Sequence, residues 1–274
     1  FAFKGGILSF KFGGDYIAVY RNYDLNPEFA KDFFNGEVLS VTKESNQKDS
    51  LYWKQVRPVP LTNEEVIVYR RKDSIETLRK SEPYLDSIDR KSNTLKPMSL
   101  ILGGYTYKQR FRKQTWTISP LLPNNLQFNS VEGVNLTLRG SFRKELGDRR
   151  NYSIVPEVRY GFSNRHLNGN VSFYYRFDPT KIGSLSLKAG TEVVDFNDRG
   201  AISPLFNSVT SLIYQDNYLK LYERRFATMS FSREVANGVQ MNASIDYADR
   251  NPLVNTNYYS FRSDSTSTYT ANNP

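Results

Sequence analysis

The sequence predicts an all-β fold, an antiparallel up-and-down β-barrel that follows a small mixed α/β connector. From Met98 onward, apolar and polar residues alternate with a period of two in long runs. Residues typical of turns, such as Asp178-Pro179 and Asn237-Gly238, separate these runs. Aromatic residues make up 14% of the chain, and in these runs they lie mostly on the apolar side of the alternation. We therefore assign residues 98–274 to the barrel.

Residues 1–61 are predicted to form short strands, a short helix and an extended linker. The alternating segments 6–12 and 15–21 are the strand candidates. Asn26 followed by Pro27 is a typical helix start, with a capping side chain and a proline in the first turn. This helix is expected to end near Phe34. The linker ends at Arg57-Pro58-Val59-Pro60, where two prolines two residues apart favour an extended backbone.

Residues 62–97 are predicted to form a helical connector. Thr62 followed by Glu65 matches a capping box, in which each residue bonds the backbone N–H of the other. A charged helix is expected to run from this box to about Lys80. A second short helix is expected from Tyr84 to Arg90.

The predicted barrel strands are long and alternate cleanly. Several run for about 10 residues, whereas an average strand has roughly 5–6 and a tilted membrane-spanning strand needs about 9–11. Pro156 opposes this pattern, because proline is expected only at an edge strand or a bulge. The predicted strands cover residues 134–142, 152–162, 169–178, 185–193, 225–232 and 239–247, with weaker candidates at 98–108 and 112–118.

Alternation alone leaves two solutions for the apolar face. A soluble, lipocalin-like barrel that carries a lipid would turn this face inward, whereas a membrane barrel would turn it toward lipid. The strand lengths, the aromatic residues near the ends of the apolar stripes and a polar face of small residues with scattered opposite charges favour the membrane barrel. The polar face is then expected to be a crowded, hydrogen-bonded lumen.

Composition removes several classes of function. The chain has no cysteine, which excludes disulfide scaffolds, cysteine-type zinc sites and thiol catalysis. The chain contains no stretch of 18 apolar residues, so no transmembrane helix is predicted. The net charge is +9, but the basic residues are spread along the whole chain. Anionic lipid headgroups or lipopolysaccharide explain this excess better than nucleic acid does, so no nucleic-acid partner is expected.

No catalytic, cofactor-binding or metal-binding residues are predicted, and the chain is not expected to be an enzyme. His166 is the only histidine and lies in a turn. Neither a Ser-His-Asp arrangement nor a histidine-based metal site can be recognised around it.

Two groups of residues are predicted to make a docking contact. The first is Trp53, Arg57, Pro58 and Pro60 in the linker, and the second is Asn129, Glu132 and Gly133 at the start of the first strong strand. The first group is expected either to pin the linker against the barrel or to bind a partner subunit. We also hypothesise that Glu132 pairs with Arg57.

Several segments, in their order along the chain, together resemble one bacterial family. They are Tyr52-Trp53, Arg57 to Thr62, Glu64-Glu65, Asp73-Ser74, Tyr84 to Ser87, Gly103-Gly104-Tyr105 and Phe128 to Gly133. Ser130 stands where threonine is expected. The family that these segments resemble comprises Bacteroidota-type outer-membrane proteins of unknown function, which join a carboxypeptidase-regulatory-like β-sandwich to a C-terminal β-barrel.

The resemblance implies a location in the bacterial outer membrane, with the N-terminal segment in the periplasm. It implies contact with membrane lipid and lipopolysaccharide and with other outer-membrane or periplasmic subunits. It also implies a barrel that is incomplete in this chain, with more strands after Pro274. The expected function is a non-enzymatic structural or accessory subunit in envelope assembly, secretion or transport. The alternatives are a narrow pore or receptor with a filled lumen, and the soluble lipid-binding barrel.

Overall fold

The computed structural model divides the chain into two compact units, Phe1–Asp73 and Ser74–Pro274. The division falls within one helix, which runs over Asn63–Lys80. The structure describes residues 2–5, 8–11, 19–20, 24–31, 48–197, 200, 202–262 and 268–272.

The first unit begins with an antiparallel hairpin of β1 (Ala2–Gly5) and β2 (Leu8–Lys11). Helix α1 (Ser50–Val56) follows, and the Asp49 side chain caps it by accepting a hydrogen bond from the Tyr52 N–H at 2.8 Å. The sequence did not predict this helix. The expected helix from Pro27 is wrong over residues 27–31, which are not helical, and its remainder lies outside the described residues. Most of the strand expected at 15–21 lies outside them too.

The predicted capping box opens helix α2 (Asn63–Lys80). The Thr62 N–H donates to the Glu65 carboxylate at 2.8 Å, and the Glu65 N–H donates to the Thr62 hydroxyl at 3.3 Å. These hydrogen bonds from Thr62 lower the pKa of Glu65. The helix therefore starts where the sequence predicts.

Three more helices belong to the second unit. Helix α3 (Glu82–Ser92) confirms the second predicted connector helix. Helix α4 (Pro97–Leu102) replaces the first part of the strand expected at 98–108. Helix α5 (Pro204–Tyr214) was not predicted. No helix among the described residues combines the length and the apolar character needed to cross a membrane.

All the strong predicted strands are confirmed within one antiparallel sheet. Its order is β11-β10-β9-β8-β7-β6-β4-β3, and β5 pairs with the part of β6 that β4 leaves free. The strands are β3 (Tyr105–Gln109), β4 (Gln114–Ile118), β5 (Leu126–Asn129), β6 (Gly133–Glu145), β7 (Asn151–Gly161), β8 (Leu167–Asp178), β9 (Gly183–Asp195), β10 (Leu221–Ala236) and β11 (Val239–Pro252).

Pro156 lies in central strand β7 and not at an edge. It pairs with Val171 of β8, but the β6–β7 register has no partner for it between Arg139↔Glu157 and Phe142↔Ile154. Gly140 of β6 lies opposite, and a Cβ added there would be at an ordinary contact distance of 3.6 Å from the proline ring. The ladder therefore tolerates a proline here through a local gap in pairing.

The sheet is open among the described residues, since β3 and β11 are its edges and do not pair with each other. It is nevertheless strongly curved. Val131, before β6, and Leu253, after β11, belong to one apolar cluster. In a flat sheet, five strand spacings would separate β6 from β11 by about 24 Å. A closed barrel is thus not observed, but the curvature brings strands from the two sides of the sheet together at one end.

The two ends of the long strands differ. At one end the connections 110–113, 146–150, 179–182 and 237–238 are all short, and we call this the short-turn end. At the other end lie residues 196–220, which contain α5, and the segment after β11. We call this the capped end.

The apolar face of the sheet is the exposed one. Leu138 and Val158 are paired neighbours on this face, as are Met229 and Ile245, and 47% of Leu138 and 74% of Ile245 are exposed. The opposite, polar face is the more enclosed. On it Asn135 and Thr137 are buried. The sheet therefore reverses the arrangement of a water-soluble sheet, which buries its apolar side.

Candidate functional site

Six consecutive residues, Phe128–Gly133, are all buried at the capped end, and they form the turn between β5 and β6. We call this the buried turn. The Asn129 side-chain oxygen accepts hydrogen bonds from the N–H groups of Val131, at 2.9 Å, and Glu132, at 2.7 Å. Asparagine suits this position because its short side chain bonds the backbone two residues on. Asn129 thus fixes the turn locally.

Glu132 is the charged residue of the buried turn, and only 1% of it is exposed. Its carboxylate accepts two hydrogen bonds from the Arg159 guanidinium, one of them from Nε at 2.8 Å. It also accepts one from the Asn129 amide at 2.8 Å. Arg159 of β7 is thus the guanidinium that binds this carboxylate, and the pairing of Glu132 with Arg57 stays a hypothesis. A buried carboxylate needs such partners, since an unpaired buried charge is very costly.

The backbone conformation and the close neighbours of Gly133 require a glycine at this position. Its φ is +64°, which side chains disfavour, and an added Cβ would lie 2.1 Å from the Ser163 hydroxyl and 2.7 Å from the Asn257 amide. That amide donates to the Ser163 hydroxyl at 2.8 Å. The glycine therefore lets the chain after β11 approach the start of β6.

Helix α5 and residues 253–262 and 268–272 gather around the buried turn, and we call them together the cap. The Ser130 hydroxyl donates to Asn255 at 2.7 Å, and the Thr256 hydroxyl donates to the Val131 carbonyl at 2.6 Å. The Ser208 hydroxyl of α5 accepts from the Phe128 N–H at 2.9 Å. The buried turn thus connects the first long strand to both parts of the cap.

Two further asparagines, one in each part of the cap, bond backbone groups beside it or within it. The Asn207 side-chain oxygen accepts from the N–H groups of Tyr218 and Leu219, at 2.8 and 3.0 Å. The Asn272 side chain accepts from the Leu221 N–H at 2.8 Å and donates to the carbonyls of Leu221 and Leu253. Because asparagine side chains replace regular secondary structure here, the cap is ordered without strands of its own.

The buried phenol of Tyr269 should make the stability of the cap depend on pH. Its hydroxyl lies 2.8 Å from the Ser211 carbonyl and 2.7 Å from the Tyr259 carbonyl, and burial raises its pKa to about 12. The neutral phenol is therefore favoured in the folded protein, so its contribution to stability is complete below pH 10 and is lost as the pH rises toward 12. Tyr269→Phe should destabilise the protein by about 1–3 kcal/mol at neutral pH, since two buried carbonyls lose their donor.

Unfolding midpoints of the natural protein and of Tyr269→Phe, measured between pH 8 and 12, check this prediction. The difference between the two should shrink above pH 10. A constant difference across this range would contradict it. Tyr258, whose ring is exposed and whose hydroxyl is 3.5 Å from its acceptor, provides the matched phenylalanine control.

A polar network continues from the buried turn across the polar face. Arg139 pairs with Glu157 across β6 and β7, with Nε 2.6 Å from the carboxylate. Glu192 of β9 binds both Lys188, at 2.8 Å, and Arg224 of β10. These pairs connect neighbouring strands across the polar face.

Arginine side chains neutralise the glutamates of this network. Glu132, Glu157 and Glu192 each have a guanidinium partner. Within the part of the chain that the structure describes, no three His, Cys, Asp or Glu residues come together as metal ligands. His166 is half exposed, and its Nδ1 lies 3.4 Å from Glu223.

The linker residues of the predicted docking contact lie in the first unit. Trp53 is half exposed and packs edge-on against Tyr52, with ring centroids 5.5 Å apart. The Arg57 guanidinium lies 5.8 Å from the centre of the Tyr69 ring. Pro58 and Pro60 follow α1 in a segment without helix or strand, with a bend at Pro58 and Val59 where the sequence predicts extended backbone. A docking role for these four residues remains a prediction.

Sequence reasoning missed several residues that build the site. The alternation places Arg159 on the polar face but does not indicate its pairing with Glu132. No sequence signal singles out Asn207, Tyr269 or Asn272. For α5 the sequence does contain a start, since Ser203 precedes Pro204 at the first helical position.

The comparisons with known proteins place this chain in a family. No curated protein and no solved structure matches it. Residues 98–274, well over half of the chain, match the model of the C-terminal domain of a family of unknown function, DUF5686. This range contains the whole nine-stranded sheet, the buried turn and the cap. The chain therefore belongs to the DUF5686 family of unknown function, through its C-terminal domain.

Proposed function

We propose that the second unit is part of the wall of a β-barrel in the bacterial outer membrane, in a protein that acts as a non-enzymatic structural or accessory subunit. The observation that carries the proposal is the reversed polarity of the sheet. Exposed apolar side chains such as Leu138, Val158, Val171, Met229 and Ile245 lie on its outer face. Soluble monomers rarely expose a continuous apolar area that spans so many strands.

Aromatic residues support a membrane boundary near the short-turn end. Trp116, Phe142, Tyr152 and Phe173 form a row across four strands, with successive ring centroids 4.2, 5.9 and 6.4 Å apart. Phe177 stacks on Phe231 farther along the sheet, at 5.8 Å. Such rows are typical of the interfacial girdles of outer-membrane barrels.

The distance between aromatic positions on one strand fits a bilayer. Tyr160 and Phe162 pack together at the capped end of β7, with centroids 5.1 Å apart. Tyr152 lies eight residues from Tyr160, which is about 26 Å of strand at 3.3 Å per residue. With the usual tilt of about 35–45°, this length spans about 19–22 Å along the membrane normal, most of the apolar band of about 25 Å.

The polar face supports a filled interior and argues against the soluble alternative. A lipid-carrying barrel needs an apolar lining, whereas Glu132, Arg159, Glu192 and Arg224 lie on the enclosed side here. The cap covers one end of this side. We therefore favour a scaffold over an open pore.

Purified protein in a planar bilayer should show no stable single-channel conductance, and discrete conductance steps would instead support a pore.

The different lengths of the turns at the two ends suggest an orientation for the proposed barrel in the membrane. Outer-membrane barrels have short periplasmic turns and longer extracellular loops. The short-turn end would then face the periplasm, and the cap would face outward. Helix α3 supports this orientation, because Asp89 binds Arg110 in a turn of the short-turn end. Helix α3 and the short turns would thus share the periplasmic side, where partner subunits are also expected.

Extraction from membranes tests the proposal. The protein should stay with the outer-membrane fraction in high salt, require detergent for release and migrate differently on gels before and after heating. Release by salt alone, with no heat-dependent migration, would contradict it. Stoichiometric partners that co-purify from the detergent extract would identify the process, whether envelope assembly, secretion or transport.

A further inference from the structure

The two edges of the sheet differ in what covers them. Residues of β11 are almost all exposed along its 14 positions, and β11 pairs only with β10. At the other edge, β3 has β4 on one side and helix α3 on the other. A strand edge carries unpaired N–H and C=O groups that readily accept another strand. The contact between α3 and β3 therefore decides whether this edge is available.

Asn93, which follows α3, imitates a neighbouring strand. Its side-chain oxygen accepts from the Lys108 N–H at 2.9 Å, and its amide donates to the Lys108 carbonyl at 2.8 Å. In an antiparallel pair, one residue of the neighbouring strand would make these same two bonds. The Tyr105 hydroxyl donates to the Asn93 carbonyl at 2.7 Å and holds this residue in place.

Asp89 of α3 binds the next main-chain group that faces outward from the hairpin, the N–H of Arg110. Its carboxylate accepts from the Arg110 N–H at 2.8 Å and also forms an ion pair with the Arg110 guanidinium. Asp89 is buried, although most of α3 is exposed. The side chains of Asn93 and Asp89 thus take up three main-chain groups at the outer side of the β3–β4 hairpin.

We propose that α3 seals the edge of β3 against pairing with a second copy of the chain. The unsealed strand is self-complementary. In an antiparallel pair centred on Tyr107, Thr106 of each copy would face Lys108 of the other, so the outward-facing backbone groups would bond mutually. Tyr107 would face Tyr107, a favourable aromatic cross-strand pair, and no like charges would be opposed.

Amide exchange and crosslinking test the seal. In the double variant Asp89→Ala/Asn93→Ala, exchange of the Lys108 and Arg110 amides should accelerate at least about tenfold, while amides of β7 keep their protection. Ser87→Ala is the matched control, because its exposed hydroxyl bonds only the Tyr84 carbonyl within α3. Unchanged protection in the double variant would overturn the seal.

A single thiol reports the pairing itself, because the chain has no cysteine. Tyr107→Cys should form disulfide-linked dimers in the Asp89→Ala/Asn93→Ala background and stay monomeric with the natural α3. Equal dimer yields in the two backgrounds, whether high or low, would overturn the proposal. Asn93→Asp is a milder variant that keeps the acceptor and loses the donor. It should give an intermediate yield in protein whose heat-dependent migration is normal.

Discussion

Replacing Glu132 with alanine is expected to destabilise the protein by about 3–5 kcal/mol, because it leaves the Arg159 guanidinium without its buried partner. The carboxylate has 1% of its side-chain area exposed, and Arg159 has 19%. The same substitution removes an acceptor of the Asn129 amide in the buried turn. Denaturant unfolding in detergent, followed by tryptophan fluorescence, measures the change.

A double-mutant cycle identifies the partner of Glu132. The double variant Glu132→Ala/Arg159→Ala should cost clearly less than the sum of the two single variants, because it leaves no unpaired charge. Additivity of Arg57→Ala with Glu132→Ala would refute the hypothesised pairing of Glu132 with Arg57. Glu76→Ala is a control, since its ion pair with Lys80 is exposed and should not shift the unfolding midpoint measurably. Additivity of Glu132→Ala and Arg159→Ala would contradict the structural role of the pair.

Gly190→Ala is expected to be the second large effect. Gly190 has a φ of +141°, and an added Cβ would lie 2.3 Å from the Gly169 carbonyl oxygen and 2.5 Å from the Asn170 Cα. Both are backbone atoms of β8, so the strands must separate to make room. The strained backbone and the overpacking together should cost about 3 kcal/mol or more.

Gly169→Ala provides a closely matched control. Gly169 lies on the neighbouring strand, but an added Cβ there would meet only the Glu157 carbonyl, at an ordinary 3.6 Å. We expect folding yield and thermal midpoint to change little for Gly169→Ala and to fall sharply for Gly190→Ala. Similar losses in the two variants would show that β8 and β9 do not pack as closely as described.

The long strands were predictable because their pattern is local and repeated. Strands β6, β7, β8, β9 and β11 alternate over enough residues for the period of two to exclude a helix. Strand β10 was predicted only at 225–232, although it covers Leu221–Ala236. Its charged residues Glu223 and Arg233 interrupt the apolar stripe on either side of this segment, so the pattern understated its length.

The helices show where local rules fail. Thr62 and Glu65 form a reciprocal cap, and α2 starts there as predicted. Asn26 and Pro27 also suit a helix start, yet residues 27–31 are not helical. A good start cannot by itself stabilise a short helix, because nucleation is costly and most helix stability comes from packing. Helix α5, by contrast, packs against β5, a contact the sequence does not reveal.

The candidate site was predictable in its residues but not in its contacts. The sequence singles out Asn129, Glu132 and Gly133, and all three are buried in one turn. The partner of Glu132 depends on the register of β6 and β7, which places Thr137 opposite Arg159. Sequence patterns do not fix such a register, and they do not show that the chain after β11 returns to this turn.

Site-directed labelling tests the central claim, that the apolar face meets lipid, most directly. Because the chain has no cysteine, single cysteines can be placed on the two faces at adjacent positions, Leu138 beside Thr137 and Ile245 beside Ser244. In protein reconstituted into liposomes, a thiol probe dissolved in the lipid should label positions 138 and 245 and spare 137 and 244. Labelling of 138 and 245 by a membrane-impermeant reagent, in protein that stays dispersed without detergent, would contradict the account.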